Sequence, residues 1–316
     1  MLFINADEID AALDFPALIA ALDDSFRAGW TAPTRHHHAI PVADAPEATH
    51  LLMPAWGDGL LGVKIVNVFP GNGALGKPAV QGLYVLQDGR TGETLAVLDG
   101  TRLTLWRTAA ASALAAKWLA RRDARRLTLI GAGTLAPFLA RAHGTVRPID
   151  DITVWNRNPE GAQRLASALT AEGFCARAEE SLQAAVEGAD IVSAATLSTV
   201  PLIQGAWLRP GVHVDLVGAF NMTMREADDL ALTRARIFID TPAALTEGGD
   251  VAQALASRAL APSAVVADLA ALGRGAPGRR DDSEITLFKS VGAAIEDLAA
   301  AALVWRRLAR TLLVSV

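Results

Sequence analysis

The chain has 316 residues, a formal net charge of −5 at pH 7, and 51% apolar against 20% charged residues. This composition excludes an intrinsically disordered protein, and the length allows about two domains of ordinary size. The single cysteine, Cys175, excludes an internal disulfide, and the acidic balance argues against a nucleic-acid partner or an anionic membrane surface. An anionic ligand would therefore need a local basic pocket.

The first hundred residues predict a helix followed by a mostly antiparallel sheet. Apolar residues recur at helical spacing over residues 14–28. Residues 60–66, 82–86 and 95–98 are short apolar runs, and residues 87–92 have the composition of a hairpin turn.

The middle of the chain changes to alternating strands and helices. An alanine-rich helix over residues 104–120 leads into a charged run at 121–126, which we interpret as a solvated linker. Five short apolar strands then alternate with helical segments, at residues 127–130, 152–155, 190–195, 212–217 and 236–240. This alternation predicts a parallel sheet covered on both faces, and a long apolar helix over residues 293–313 follows it.

Targeting and metal-binding patterns are weak in this sequence. The first residues turn acidic at once, and the longest uncharged run, residues 191–208, is broken by polar residues, so we expect a cytoplasmic protein without a membrane-spanning helix. Adjacent residues point in different directions, so the run His36-His37-His38 predicts a polar loop and no metal site. We interpret Cys175, beside Phe174, as a small core residue.

A glycine-rich turn follows the strand at residues 127–130 and opens a helix. Gly131 permits the tight turn, Gly133 allows a phosphate to approach the backbone, and Ala136 allows close packing of helix on strand. Backbone amides at the helix N-terminus would bind phosphate oxygens. The pattern predicts a dinucleotide site, with Ala132, Thr134 and Leu135 completing the turn.

The end of the next strand bears on the choice of dinucleotide. An NAD-binding chain usually carries Asp or Glu there, to bind the ribose hydroxyls, whereas this strand ends in Trp155-Asn156-Arg157. Arg157 can pair with a 2′-phosphate. We therefore predict NADP(H) in preference to NAD(H), with NAD(H) remaining possible.

Three basic residues are candidates for a carboxylate-binding pocket. Arg35 follows a Pro-Thr pair, Lys64 lies within an apolar strand, and Arg107 lies near the start of the alanine-rich helix. Guanidinium groups bind carboxylates in a bidentate manner, and a partly buried lysine can also transfer a proton. The alternative for Lys64 is an ordinary strand residue that points to solvent.

At these positions the sequence resembles the ornithine cyclodeaminase/mu-crystallin family, most specifically at residues 103–116, 131–136 and 284–292. The resemblance implies an α/β fold in which a Rossmann dinucleotide-binding domain, residues 123–298, is inserted in a mixed α+β substrate and dimerisation domain. That second domain would comprise residues 1–122 and be completed by the C-terminal helix at 299–316. Members are usually homodimers.

The resemblance also implies roles for individual residues. Arg35, Lys64 and Arg107 would bind a substrate carboxylate, with Lys64 and Arg107 taking part in catalysis and Phe220 lining the substrate. Further cofactor contacts would come from Thr108, Thr196, Val217, Lys289 and Ser290.

Two departures from the family pattern bear on the reaction. Cyclodeaminating members carry an aspartate where this chain has Phe220, and a glutamate where it has Leu51. Loss of both carboxylates should weaken the binding of a cationic side chain. The sequence therefore predicts a ketimine reductase that converts a small cyclic imino acid, of the Δ1-pyrroline-2-carboxylate type, to proline or a homologue. The alternatives are an ornithine cyclodeaminase forming proline and ammonia, an alanine-type amino-acid dehydrogenase, and a non-catalytic nucleotide-binding protein of the crystallin type.

Overall fold

The computed structural model describes residues 1–314, and the chain divides into two compact units. The first combines Met1–Arg107 with the C-terminal segment that begins at Ala293, and the second is Thr108–Gly292. The predicted domain limits, at 122/123 and 298/299, stay a prediction, and residues 315–316 lie outside the described residues.

The first unit contains a six-stranded sheet and the helices that cover it. Its elements are β1 (Leu2–Ile4), α1 (Ala6–Ala12), α2 (Phe15–Ala28), β2 (His36–Ile40), β3 (Ala48–Gly57), β4 (Leu60–Val68), β5 (Val80–Asp88), β6 (Thr94–Asp99), the start of α3 (Gly100–Leu119) and α10 (Ala294–Val314). The strand order is β1-β6-β5-β4-β3-β2, and every pairing except β1 with β6 is antiparallel. This arrangement confirms the mostly antiparallel sheet and the helix that begins after Asp14.

The two faces of this sheet differ in how they are covered. Met53, Lys64 and Tyr84 are paired across β3, β4 and β5, so their side chains share one face, and all three are buried. Helix α10 packs on these strands and on α2. On the opposite face, Leu83 is 52% exposed and Phe3 is 72% exposed.

The histidine run forms an edge strand, so the prediction of a polar loop is wrong. His36, His37 and His38 pair with Leu52, Leu51 and His50 of β3, and all three are exposed. All five side chains of β2 are exposed, so this strand lacks the alternation of apolar and polar residues that would predict it from sequence. Across the described residues, no group of three His, Cys, Asp or Glu side chains is arranged to hold a metal ion.

The second unit contains a fully parallel eight-stranded sheet. Its remaining elements are β7 (Arg126–Ile130), α4 (Ala136–Val146), β8 (Asp151–Trp155), α5 (Pro159–Ala171), β9 (Ala176–Ala178), α6 (Leu182–Glu187), β10 (Ile191–Ala194), β11 (His213–Leu216), α7 (Asp229–Arg234), β12 (Arg236–Ile239), α8 (Gly249–Ala256), β13 (Val265–Asp268), α9 (Leu269–Gly273) and β14 (Thr286–Lys289). The strand order is β13-β12-β14-β11-β10-β7-β8-β9.

This order places a topological switch point between β7 and β10. The chain proceeds outward from β7 through β8 to β9, and then returns to the other side of β7 with β10. In such doubly wound sheets ligands bind in the crevice beyond the carboxyl ends of the two strands at the switch. Central strand residues such as Val192, Val214 and Leu287 are fully buried, as a sheet covered on both faces requires. The predicted Rossmann-type α/β fold is confirmed.

Two local predictions in this unit need correction. The run 121–126 is only partly solvated, because Arg121 and Arg126 form ion pairs with the buried carboxylate of Asp190 at 3.1 and 2.9 Å. Cys175 is exposed and lies just before β9, so it is not a core residue. β9 is a three-residue edge strand, and it leaves this position uncovered. Among the described helices, none has both the length and the apolar composition to cross a membrane.

Candidate functional site

The glycine turn joins β7 to α4 at the switch point. Gly131 has a φ of +103°, and a Cβ atom there would lie 2.9 Å from the carbonyl oxygen of Ala195, which follows β10. Both the backbone conformation and this close approach require glycine. A Cβ atom on Gly133 would meet nothing within 4 Å, and Gly133 is exposed, so the backbone there is open to a ligand. These features suit the pyrophosphate of a dinucleotide.

The end of β8 contacts this turn directly. The backbone amide of Ala132 donates to Oδ1 of Asn156 at 3.3 Å, and Nδ2 of Asn156 donates to the carbonyl oxygen of Asn158 at 2.9 Å. Arg157 is exposed beside Asn156. The structure therefore brings Ala132 of the turn together with Asn156 after β8, and Arg157 is exposed to a ligand in this part of the second unit.

The loops after β10 and β11 share one buried carboxylate, Glu226. Its Oε1 accepts hydrogen bonds from the backbone amide and the hydroxyl of Thr196 at 2.7 and 2.8 Å. Its Oε2 accepts from the backbone amides of Gly218 and Ala219 at 2.8 and 3.2 Å. Two residues assigned from sequence to the cofactor, Thr196 and Val217, thus lie in loops that one side chain holds.

Lys289 and Ser290, at the end of β14, also engage buried carboxylates. Nζ of Lys289 lies 3.2 Å from Oδ2 of Asp250, and both side chains are fully buried. The hydroxyl of Ser290 donates to Oδ2 of Asp240 at 3.0 Å. Burial raises the pKa of Asp240, whereas the hydrogen bonds that this carboxylate accepts lower it. Both predicted residues are therefore oriented by ionic or hydrogen-bonded partners within the same unit.

In the first unit, Lys64 and Arg107 meet two acidic residues from the first turn of α10. Nζ of Lys64 lies 3.1 and 3.0 Å from the carboxylate oxygens of Asp297. Nε of Arg107 donates to Asp297 at 3.1 Å, and its Nη1 donates to Glu296 at 2.7 Å. All four residues are at least 94% buried. The structure thus excludes the alternative of Lys64 as a solvent-facing strand residue.

The charges of this cluster are balanced, and the pKa of its lysine is shifted. Two cations face two carboxylates, and the predicted carboxylate-binding pocket did not include these acidic partners. Burial and the neighbouring Arg107 lower the pKa of Lys64 to about 8, whereas Asp297 and Glu296 oppose the shift. Burial raises the pKa of Tyr84, which pairs with Lys64 across the strands, well above its usual value. Lys64 is therefore a stronger acid than an ordinary lysine.

The other predicted substrate residues lie around this cluster or in the second unit. Arg35 is half-buried and immediately precedes β2; continuing the register by one residue sets it opposite Met53, which pairs with Lys64. Thr108 is buried and follows Arg107 on α3. Phe220 is half-buried and follows the Gly218-Ala219 pair in the second unit.

Sequence reasoning missed the acidic partners of the site. Glu296 and Asp297 stand together at the start of an otherwise alanine- and leucine-rich helix, and this pattern was the available signal. Asp250 similarly interrupts the apolar sequence of α8. Acidic residues in the first turn of a helix are usually explained by the helix dipole, so the signal does not point to a partner.

The comparisons with known proteins agree with this fold. The family model for the ornithine cyclodeaminase/mu-crystallin family matches residues 5–311. A Δ1-pyrroline-2-carboxylate reductase of Paracoccus denitrificans is 40% identical over 308 residues, which cover 93% of this chain and 98% of the relative.

Two solved structures share the architecture over nearly the whole chain. The Δ1-pyrroline-2-carboxylate reductase of Thermococcus litoralis, in complex with NADH and L-proline, superimposes with a TM-score of 0.93, 31% identity and 98% coverage of both chains. An archaeal alanine dehydrogenase dimer with bound NAD gives a TM-score of 0.92 at 28% identity, covering 98% of this chain and 97% of the other. With the extent of the family match, these likenesses establish that the chain belongs to the ornithine cyclodeaminase/mu-crystallin family.

Proposed function

We propose that this chain is a cytoplasmic nicotinamide-dependent imine reductase that converts a small cyclic 2-imino acid, such as Δ1-pyrroline-2-carboxylate, to the corresponding amino acid. The similarity to reductases of this substrate over almost the full length supports the proposal. The observation that carries it within the molecule is Lys64, a buried ammonium group that lies 3.0 Å from Asp297, a carboxylate that also accepts a hydrogen bond from Arg107.

The residues of the first unit would bind the substrate and supply a proton. Arg107, oriented by Glu296 and Asp297, would bind the substrate carboxylate together with Arg35. Reduction of an imine adds a hydride to carbon and a proton to nitrogen. Lys64 would donate that proton from Nζ, because its lowered pKa makes it a stronger acid than an ordinary lysine.

The residues of the second unit fit a dinucleotide. The open backbone at Gly133 and the helix that begins at Ala136 would bind the pyrophosphate, and Asn156 and Arg157 would lie toward the adenosine ribose. Further contacts with the dinucleotide would come from residues at the carboxyl ends of β10, β11 and β14, namely Thr196, Val217, Lys289 and Ser290. When bound, a reduced nicotinamide supplies the hydride.

Ornithine cyclodeamination fits the site less well. Leu51 lies on the same sheet face as Met53, and this position lacks the carboxylate that would bind a cationic side chain. Phe220 removes a second carboxylate. A cyclic imino acid has no side-chain ammonium group, so an apolar lining does not penalise its binding.

A direct assay separates these reactions. We would mix the protein with Δ1-pyrroline-2-carboxylate and NADPH or NADH, and follow the nicotinamide absorbance. Parallel reactions would contain NAD and ornithine, with ammonia as the readout, or pyruvate with ammonium and NADH. We expect rapid oxidation of the reduced cofactor with Δ1-pyrroline-2-carboxylate, and no reaction in the mixtures that contain ornithine or pyruvate. Ammonia release from ornithine combined with an inert imine would overturn the proposal.

We further propose that NADP(H) is preferred to NAD(H). The support is the exposed Arg157 next to Asn156, at a position where an acidic residue would repel a 2′-phosphate. We expect Arg157→Ala to weaken NADPH binding by about tenfold, the loss of one charge-assisted contact, while NADH binding changes little. Arg164→Ala, an exposed arginine on α5, is the matched control. Equal affinity of the unaltered protein for both cofactors would refute the preference.

We also propose a homodimer formed through the open face of the six-stranded sheet. Phe3 and Leu83 line a groove of about 820 Å³ on this face and are 72% and 52% exposed. A sheet face with exposed apolar residues is stabilised when it is covered, and a second copy of the same face can do so. Leu83→Glu should yield a monomer in light scattering, whereas Leu230→Glu, at an exposed position on α7, should not. A dimer unaffected by Leu83→Glu would contradict this interface.

A further inference from the structure

Glu226 is a heavily hydrogen-bonded side chain at the carboxyl edge of the parallel sheet. It is fully buried, and its two oxygens accept four hydrogen bonds from Thr196, Gly218 and Ala219. These donors belong to the loops after β10 and β11, so a single carboxylate bridges two neighbouring strand ends.

The first of these loops borders the glycine turn. A Cβ atom on Gly131 would lie 3.2 Å from Cγ2 of Thr196, so the loop after β10 touches the turn at the switch point. Gly218 is also constrained, because a Cβ atom there would lie 2.0 Å from the carbonyl oxygen of Thr196 and 2.5 Å from Oε1 of Glu226. A displacement of the Glu226 carboxylate would therefore disturb the crevice in which a dinucleotide binds.

The surroundings of Glu226 are charged and closed to solvent. The backbone amides of Glu226 and Ala227 donate to Oδ1 of Asp250 at 2.7 and 2.9 Å, and Oδ2 of Asp250 pairs with Lys289. Burial and the nearby Asp250 raise the pKa of Glu226 to about 7, whereas Lys289 and the hydrogen bonds from Thr196 lower it. The carboxyl group can therefore change its charge near neutral pH.

We propose that Glu226 is a positioning residue whose ionised carboxylate holds the loops after β10 and β11 in the conformation that receives the dinucleotide. The inference rests on the proposed function, since it assigns a role toward the same cofactor. An ionised carboxylate is an acceptor only and satisfies four donors, whereas a protonated carboxyl group turns one O–H toward donors and satisfies fewer. Cofactor affinity should consequently fall as the pH decreases through about 7.

Direct binding measurements on the whole protein test this role without substrate. We would titrate NADPH and NADH into the protein, follow nicotinamide fluorescence, and determine Kd between pH 6 and pH 8.5. The unaltered protein should bind more weakly at pH 6 than at pH 8.5. Glu226→Gln should bind about tenfold more weakly at pH 8.5, because its amide group leaves buried donors unsatisfied, and its Kd should change little with pH.

Asp190→Asn is the matched control. Asp190 is also a buried carboxylate that accepts two backbone hydrogen bonds, but it precedes β10 at the opposite edge of the sheet. This variant should lose stability while it keeps the cofactor Kd and its pH dependence. If Glu226→Gln does not fold, Thr196→Val removes one donor to Glu226 and should move the pH at which cofactor binding weakens to a higher value, a shift that loss of a direct contact between Thr196 and the cofactor would not produce.

The outcomes separate this inference from the proposed function. An unaltered protein that binds neither NADPH nor NADH would overturn both. Unaltered binding with a Glu226→Gln variant that retains the same Kd and the same pH dependence would overturn the positioning role alone. Weakening of binding by Asp190→Asn to the same degree would also overturn it, because the effect would then reflect general destabilisation.

Discussion

Replacing Asp297 by asparagine tests whether this carboxylate controls the acidity of Lys64. Asp297 lies within 3.1 Å of both Lys64 and Arg107, and it is fully buried. Asparagine has nearly the same shape but no charge. The variant therefore leaves two buried cations facing Glu296 alone, and the protonated form of Lys64 loses its nearest partner.

The structure sets the size of the effect. At 3.0 Å, and with an effective dielectric constant of about 20, the attraction between Lys64 and Asp297 is about 5.5 kcal/mol before relaxation. Since about 1.4 kcal/mol corresponds to one pH unit, even a quarter of this attraction would move the titration of Lys64 by about one unit. The removal of one partner from a buried pair also costs about 3–5 kcal/mol of folding stability.

The assay is the pH dependence of kcat/KM for imine reduction, measured on folded protein at low temperature. If Lys64 donates the proton, the activity of the unaltered enzyme should fall as the pH rises through about 8, where the Lys64 pKa lies. In Asp297→Asn this alkaline decline should begin about one unit lower. Titration of the substrate is common to both proteins and cancels in the ratio of their profiles.

Glu296→Gln provides the control for this experiment. Glu296 contacts Arg107 at 2.7 Å and affects the pKa of Lys64 less than Asp297 does. Its variant should lose stability but shift the alkaline decline by a smaller amount. An Asp297→Asn profile that coincides with that of the unaltered enzyme would refute Lys64 as the proton donor.

Three simpler predictions follow from single positions. Gly131→Ala should lose cofactor binding and about 1–3 kcal/mol of stability, because φ is +103° and the new Cβ atom would lie too close to Ala195. Cofactor titration and urea unfolding measure the two effects, and an unchanged Kd would contradict the prediction. Arg107→Ala should abolish imine reduction while cofactor binding persists, and residual turnover above about 1% would show that Arg107 is not needed to orient the substrate. Cys175 is exposed, so a thiol reagent should modify one thiol per native chain before unfolding, and protection until unfolding would contradict its exposure.

The sequence alone was sufficient for the nucleotide-binding fold. The glycine turn, its preceding strand and its following helix are contiguous, so their geometry follows from local sequence and from the backbone freedom of Gly131. The alternation of short apolar strands with helices likewise predicted the parallel sheet, because strands that are buried on both faces are continuously apolar in sequence. Residue type and the family resemblance both suggested the carboxylate-binding role of Arg35, Lys64 and Arg107. The role of Phe220 came from the resemblance alone, and all of these roles stay predictions.

Tertiary structure decided the electrostatics of the site. Lys64 and Asp297 are separated by 233 positions along the chain, and no local pattern relates them. Glu226 likewise accepts a hydrogen bond from Thr196, which lies 30 positions away along the chain. The fold brings the two residues together at the carboxyl ends of neighbouring strands. The exposed edge strand at His36–Ile40 and the exposed Cys175 also differ from sequence expectation. In each case the outcome depends on which surfaces the folded chain covers, and therefore on residues that are distant in sequence.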